Sequence, residues 1–166
     1  MMIHRRRFLK TSGAALALAA LPAVLPLKSF ADVAKGMAES PLIYITPLKA
    51  DGSESSCQAE VWFQLHEGAM YVVTSGTAWR AVAIGKGMKQ ARVWVGDVGP
   101  WQQSEGKYKN LAVVMTEGAI VGDKAVHDAV LGKMGGKYSA EWGTWGPRFQ
   151  KGLADRSRVM LRYSVA

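Results

Sequence analysis

Beyond its first thirty residues the chain offers few side chains that could do chemistry unaided. His66 and His127 stand far apart in sequence, and Cys57 is the single cysteine. Together they cannot supply a typical zinc site, and one thiol makes no internal disulfide. His127 lies beside the apolar side of a predicted helix and reads as a boundary residue. His66 ends a strand next to a turn and reads as a solvated terminus; a haem-ligand role stays open for both. Cys57 joins a polar loop to a strand, a place for an inert, half-buried thiol, although a lone thiol in an oxidising compartment can also be redox-active. No Gly-x-Ser-x-Gly elbow, Walker loop or His-Glu-x-x-His is present, so hydrolase and NTPase chemistry have no support. What remains is a cluster of anion-binding type. The strand Met70–Val73 runs into two hydroxyls, Thr74 and Ser75, and Arg80 follows five residues later. With Ala78–Ile84 helical, Arg80 falls in the first turn and meets the hydroxyls and the free helix N–H groups, a set suited to a phosphate dianion. Trp101, Trp142 and Trp145 sit in stretches rich in Gly and Pro. There they either wall a flat ligand or anchor loops in the core. Arg148, after Gly146-Pro147, is placed to meet an acidic group.

The elements that position these residues are mostly short strands. Asp32–Ser40 reads as a polar lead-in. Leu42–Ile45 is an apolar strand ended by Pro47, and Lys49–Ser56 a polar loop. Glu60–His66 alternates, with Val61, Phe63 and Leu65 on one face and Glu60, Trp62, Gln64 and His66 on the other. Glu67-Gly68 turns the chain into Met70–Val73 as hairpin partner. Arg92–Val95 and Leu111–Met115 are further strands. Asp123 is an N-cap for a helix whose apolar face is Val126, Ala129, Val130 and Met134, ended by Gly135-Gly136. Gly143–Asp155 reads as loop with a helical turn, and Val159–Tyr163 as the closing strand. Six strands with two or three short helices predict a mainly β protein, a six-stranded antiparallel barrel; an open α+β sheet is the alternative. No G-x-G-x-x-G and no regular strand–helix alternation supports a Rossmann fold.

The stretch Val61–Val95 carries more. It reads Val-Trp-Phe-Gln-Leu, a turn, Met-Tyr-Val-Val-Thr-Ser-Gly-Thr-Ala-Trp-Arg, a short helix, then Ala-Arg-Val-Trp-Val. In pattern and order it resembles the FMN-binding split-barrel superfamily, the pyridoxamine 5′-phosphate oxidase-like proteins, over roughly residues 41–163. The resemblance implies a split barrel, FMN as cofactor and a homodimer with flavin between subunits. It matches Thr74 and Ser75 to the hydroxyls near the flavin phosphate and Arg80 to their basic partner; Trp79, and Trp145 as a loop Trp able to stack on a flat ligand, are the further candidate cofactor-binding residues. It names no catalytic residue, because the isoalloxazine ring does the redox chemistry. A departure is Gly85–Gln90, where such proteins carry an Asn-Pro-like turn. The alternatives are a non-enzymatic protein for haem or another flat ligand, and a reductase using the deazaflavin F420. No metal is expected.

Charge distribution adds an address. The formal net charge is +8, but the first 31 residues hold Arg5, Arg6, Arg7, Lys10 and Lys28 and no acid, which leaves +3 for the rest. That is too little for a nucleic-acid partner. Arg5-Arg6-x-Phe8-Leu9-Lys10, the apolar run Ala14–Leu27 and Ser29-Phe30-Ala31 form an n-region, h-region and small-residue cut site. The arginine pair resembles a twin-arginine signal, with His4 where Ser or Thr is usual; a Sec signal or uncut anchor is the other reading. The expectation is residues 1–31 as a signal cleaved after Ala31 and residues 32–166 as one periplasmic domain. The translocase would be a partner during export, and a folded cargo can load its cofactor beforehand.

Overall fold

A computed structural model describes residues 30–166. The twin-arginine segment lies outside the described residues. The elements are α1 (Phe30–Glu39), β1 (Leu42–Pro47), β2 (Ala59–Trp62), β3 (Gln64–His66), β4 (Ala69–Ser75), α2 (Trp79–Gly85), β5 (Gln90–Val95), β6 (Ala112–Val121), α3 (Lys124–Lys137), α4 (Ser139–Ala154) and β7 (Arg158–Val165). A short 3-10 turn, Lys107–Asn110, precedes β6.

All strand pairs are antiparallel and run in the order β2-β1-β5-β6-β7-β4-β3. The outermost strands, β2 and β3, are neighbours in sequence and are separated only by Phe63. They are the one strand read over Glu60–His66, broken at a corner, so six strands in sequence become seven segments and the sheet curls into a barrel. The break frees the Phe63 backbone, and the end of α3 takes it up. Phe63 N donates to Tyr138 Oη at 2.9 Å, and Lys137 Nζ donates to Phe63 O at 3.1 Å. Trp62 stacks on Tyr138 at 4.3 Å with a 5° interplanar angle, which pins the corner.

Strand alternation divides the core. Ile43, Ile45, Met70, Val72, Val93, Leu161 and Tyr163 fill the barrel, with Val33 and Met37 of α1 against them. Tyr71, Val73 and Met160 face outward and are covered by Val130, Met134 and Phe149 of α3 and α4. A smaller outer cluster joins Tyr44, Trp94 and Tyr108.

The helices depart most from the sequence reading. Among the described residues there are four, and two are long. The lead-in is α1, because Val33 and Met37 are four apart and share one buried face. Gly135-Gly136 does not stop α3. A Cβ on Gly135 would come within 2.9 Å of the Trp142 indole, so this glycine serves a close helix–helix approach. Asp123 does cap α3, accepting from Ala125 N at 2.7 Å. Its buried face is Val130, Leu131 and Met134, while Ala129 is exposed. Of the predicted loop, Gly143 to Ala154 is helical despite Pro147, which removes one ladder hydrogen bond. Trp142, Trp145, Phe149 and Leu153 recur at helical spacing and pack on the outer face of β4 and β7, which outweighs that loss.

Candidate functional site

β4 has β3 beside it only over Ala69–Tyr71, and from Val72 to Ser75 its ladder partner is β7 alone. β2 pairs only with β1. Between β2 and the upper half of β4 the barrel is therefore open. This seam forms a cleft of about 500 Å³, with Val61 and Trp62 on one lip, Val73, Thr74 and Ser75 on the other, and Arg80, Glu141, Trp145, Phe149 and Arg158 around them.

Thr74, Ser75, Arg80 and Trp145 thus meet in one cleft. Thr74 is buried on the barrel side, and Arg80 Nη1 donates to its Oγ1 at 2.7 Å. Arg80 Nε is buried without a hydrogen-bond partner. So is Tyr163 Oη in the barrel interior, where burial pushes the phenol well up and the Arg80 charge pulls the other way. Among the described residues no carboxylate pairs with Arg80. Ser75 alternates to the other side of β4, is exposed, and shares a 2.9 Å hydrogen bond with Thr77. Trp145 meets Trp62 edge-on at 6.2 Å, and Phe149 meets Trp62 edge-on at 6.4 Å. The cleft thus brings aromatic rings together with two guanidinia, a carboxylate and two hydroxyls.

Trp79 is placed elsewhere. It lines a second, wider cleft of about 800 Å³ with Cys57, Lys49, Glu54 and Gln58. The larger volume lacks the two guanidinia and the aromatic wall, so the seam is the better candidate. Trp142 and Trp145 are helical, not loop residues; Trp101 is in a loop and packs against the outer tyrosine cluster. Arg148 lies over the Trp145 ring at 5.1 Å. The histidines stand away from the seam. Lys133 Nζ donates to His66 Nδ1 at 2.9 Å, and His127 Nε2 is 2.8 Å from Val121 O. Among the described residues no three His, Cys, Asp or Glu side chains gather in metal-binding reach. Trp62, Glu141, Phe149 and Arg158 were not singled out from sequence. Trp62 carried a signal, as the outward member of an alternating strand; the others depend on α4 and on the β4–β7 register.

This strand order, with one opened strand and helices over the outer face, has counterparts among solved structures. The haem storage protein HutZ of Vibrio cholerae is similar over 86% of this chain and 92% of its own, at 14% identity and TM-score 0.56. A FAD-binding protein of Mesorhizobium loti is similar over 83% and 90%, at 13% identity and TM-score 0.53. A putative pyridoxamine 5′-phosphate oxidase of Listeria innocua is similar over 81% and 91%, at 10% identity and TM-score 0.50. The fold is the pyridoxamine 5′-phosphate oxidase-like split barrel. At these identities the split barrel alone is shared, not a ligand. No curated protein matches the chain. Residues 2–22 match the TAT (twin-arginine translocation) pathway signal sequence, so this split barrel is exported by that route.

Proposed function

We propose that the exported split barrel binds FMN, or a larger flavin built on it, in the seam between β2 and β4, and works as a flavin-dependent redox protein. The observation that carries this is the Arg80 guanidinium, fixed on Thr74 at 2.7 Å in the lining of an aromatic-walled cleft. It has an unpartnered buried Nε and no carboxylate partner among the described residues. A buried donor left unpaired costs about 1–3 kcal/mol. A phosphate is an acceptor-only group that a guanidinium and a hydroxyl can hold together. The residues present therefore fit the group. Arg80 and Thr74 would hold the phosphate, and Trp62, Trp145 and Phe149 would wall the ring. A bound flavin supplies hydride or electron transfer, and the chain's part is to bind, orient and exclude water. F420 remains an alternative cofactor on the same reasoning.

Haem is the second reading, favoured by the likeness to HutZ. The ten residues lining the seam include no His, Cys, Met or Tyr. An axial ligand would then come from outside this lining, which ranks haem below flavin. The absorbance spectrum of protein purified from its native host decides: paired blue bands for flavin, one near-violet band for F420, a Soret band for haem. A Soret band without flavin bands overturns the flavin reading.

Two coarser features belong to the same proposal. The mature protein starts at Asp32, as N-terminal sequencing of the exported form would show. It pairs as a homodimer, for which β6 offers Val113 and Met115, 46% and 40% exposed on the outer face beside Trp94 and Arg92.

A further inference from the structure

The cut expected after Ala31 falls inside a helix. α1 runs from Phe30 to Glu39, so the Ala31–Asp32 bond lies in its first turn. In an α-helix the Ala31 carbonyl turns along the axis toward the N–H four residues on, that of Lys35. α1 is also docked on the barrel, against β5 and β6. Val33 and Met37, 5% and 7% exposed, share the core cluster of Val95 and Ala112. Glycine at residue 36 permits the close approach. A Cβ there would stand 3.1 Å from Val95 Cγ1 and 3.8 Å from Val95 Cβ. At the far end Ser40 N donates to Gly36 O at 2.8 Å, and the Ser40 hydroxyl donates to Leu42 O at 2.7 Å, which ties α1 to the start of β1.

A peptidase takes the residues on both sides of the scissile bond as an extended strand, because backbone and alternate side chains must both reach it. An extended residue advances about 3.3 Å and a helical one about 1.5 Å. Presenting residues 29–33 as a strand therefore breaks the first turn of α1 and draws Val33 out of the core. Cleavage ordinarily falls in exposed loops and frayed ends, not in a docked helix. The twin-arginine route carries folded cargo, so α1 is already docked when the peptidase meets this chain.

We infer that α1 is a latch on signal removal: the Ala31–Asp32 bond is hydrolysed only from the state in which α1 has left the barrel. Water adds across that bond to give the Ala31 carboxylate and the Asp32 amine, and nothing else is consumed. Until α1 leaves, the exported barrel stays joined to its apolar leader and through it to the membrane. The rate of processing follows the population of undocked α1, a local opening that leaves the rest of the barrel folded. This rests on the cut after Ala31 and does not depend on what the seam binds.

The test treats folded full-length precursor in detergent with signal peptidase and follows the product by gel and N-terminal sequencing. Two variants move the docking in opposite directions at positions away from the scissile bond. Gly36→Cys with Val95→Cys, in a Cys57→Ser background, sets two thiols on Cβ positions 3.8 Å apart, a spacing that suits a disulfide. The oxidised form should be cut at least about tenfold more slowly than the same sample after reduction. Met37→Ala removes a buried side chain from α1 and should be cut at least about tenfold faster than wild type. Unchanged far-UV circular dichroism identifies folded variants, and the two variants are independent routes to the answer. Equal rates in either comparison, with Asp32 as the new terminus, overturn the latch and leave the cut site standing. Failure of the two thiols to pair under mild oxidant shows α1 undocked and overturns the latch as well. A product that begins elsewhere than Asp32, or no product even after reduction, overturns the cut-site reading and the latch with it.

Discussion

The arginine that sequence reasoning singled out and the lysine it passed over illustrate two ways of holding a cation. Arg80 is anchored on Thr74 and otherwise unpaired. A hydrogen bond to a charged group contributes about 1.5–3 kcal/mol. Arg80→Ala is therefore expected to weaken FMN binding roughly tenfold to a hundredfold and to leave riboflavin nearly unaffected, since only FMN carries the phosphate. Quenching titrations of both flavins read the contrast; equal losses would remove Arg80 from a phosphate site. Lys137 sits over the Phe63 ring at 3.7 Å with the Phe63 carbonyl as its acceptor, and burial lowers its ammonium to about 8. In the unfolded chain it titrates near its ordinary value, so between pH 8 and about 10 the unfolded state binds more protons than the native state. Stability should rise with pH across that window as the buried charge is relieved. Half of the side chain remains near water, so the gain is on the order of 1 kcal/mol. Urea denaturation at pH 7.5 and 9.5 should show the rise in wild type and lose it in Lys137→Met. Thr74 and Arg80 were legible because hydroxyls at a strand end followed by a guanidinium form a local pattern. Arg158 was not, because its place opposite Ser75 depends on pairing two strands distant in sequence.

Among the elements, the strands announced themselves, as did α2 and the start of α3, while α1 and α4 did not. Leu42–Pro47, Ala69–Ser75, Gln90–Val95 and Arg158–Val165 combine β-branched and aromatic residues with turn residues at their ends. The corner at Phe63 leaves no trace in the sequence. Val61, Phe63 and Leu65 alternate without interruption, and only the Tyr138 hydroxyl and Lys137 amine, brought by a helix from far along the chain, make the break tolerable. α4 was hidden by Gly143, Gly146 and Pro147, which read locally as loop. Its helix exists because tertiary packing of Trp142, Trp145 and Phe149 outweighs propensity. α3 shows the opposite case, a start fixed by a local rule. Asp123 accepts from Ala125 N at 2.7 Å and from Val126 N at 3.4 Å. Asp123→Ala should cost about 1 kcal/mol, read as a lower denaturant midpoint with an unchanged slope. Asp123→Ser should recover most of it.

At the scale of the whole molecule, an export signal precedes a barrel whose candidate cleft is a gap in its own ladder. The twin-arginine route carries folded cargo, which agrees with a protein loaded before it leaves the cytoplasm. Among the described residues no helix is long and apolar enough to cross a membrane. The open seam has a cost apart from binding. Along β2 and along Val72–Ser75 of β4, amide and carbonyl groups on the seam side have no strand beside them. Unpaired strand edges are templates for another chain, and these are flanked by Val61, Val73 and aromatic rings. A ligand seated in the gap would therefore also act as a guard, covering the rows on which a second polypeptide could grow. Ligand-free protein should accordingly scatter light sooner than flavin-loaded protein at equal concentration and temperature, and equal onset times would refute this. On this view, loading before export has a second benefit: it keeps the barrel from polymerising outside the cytoplasm, where no ATP-driven chaperone can separate the chains.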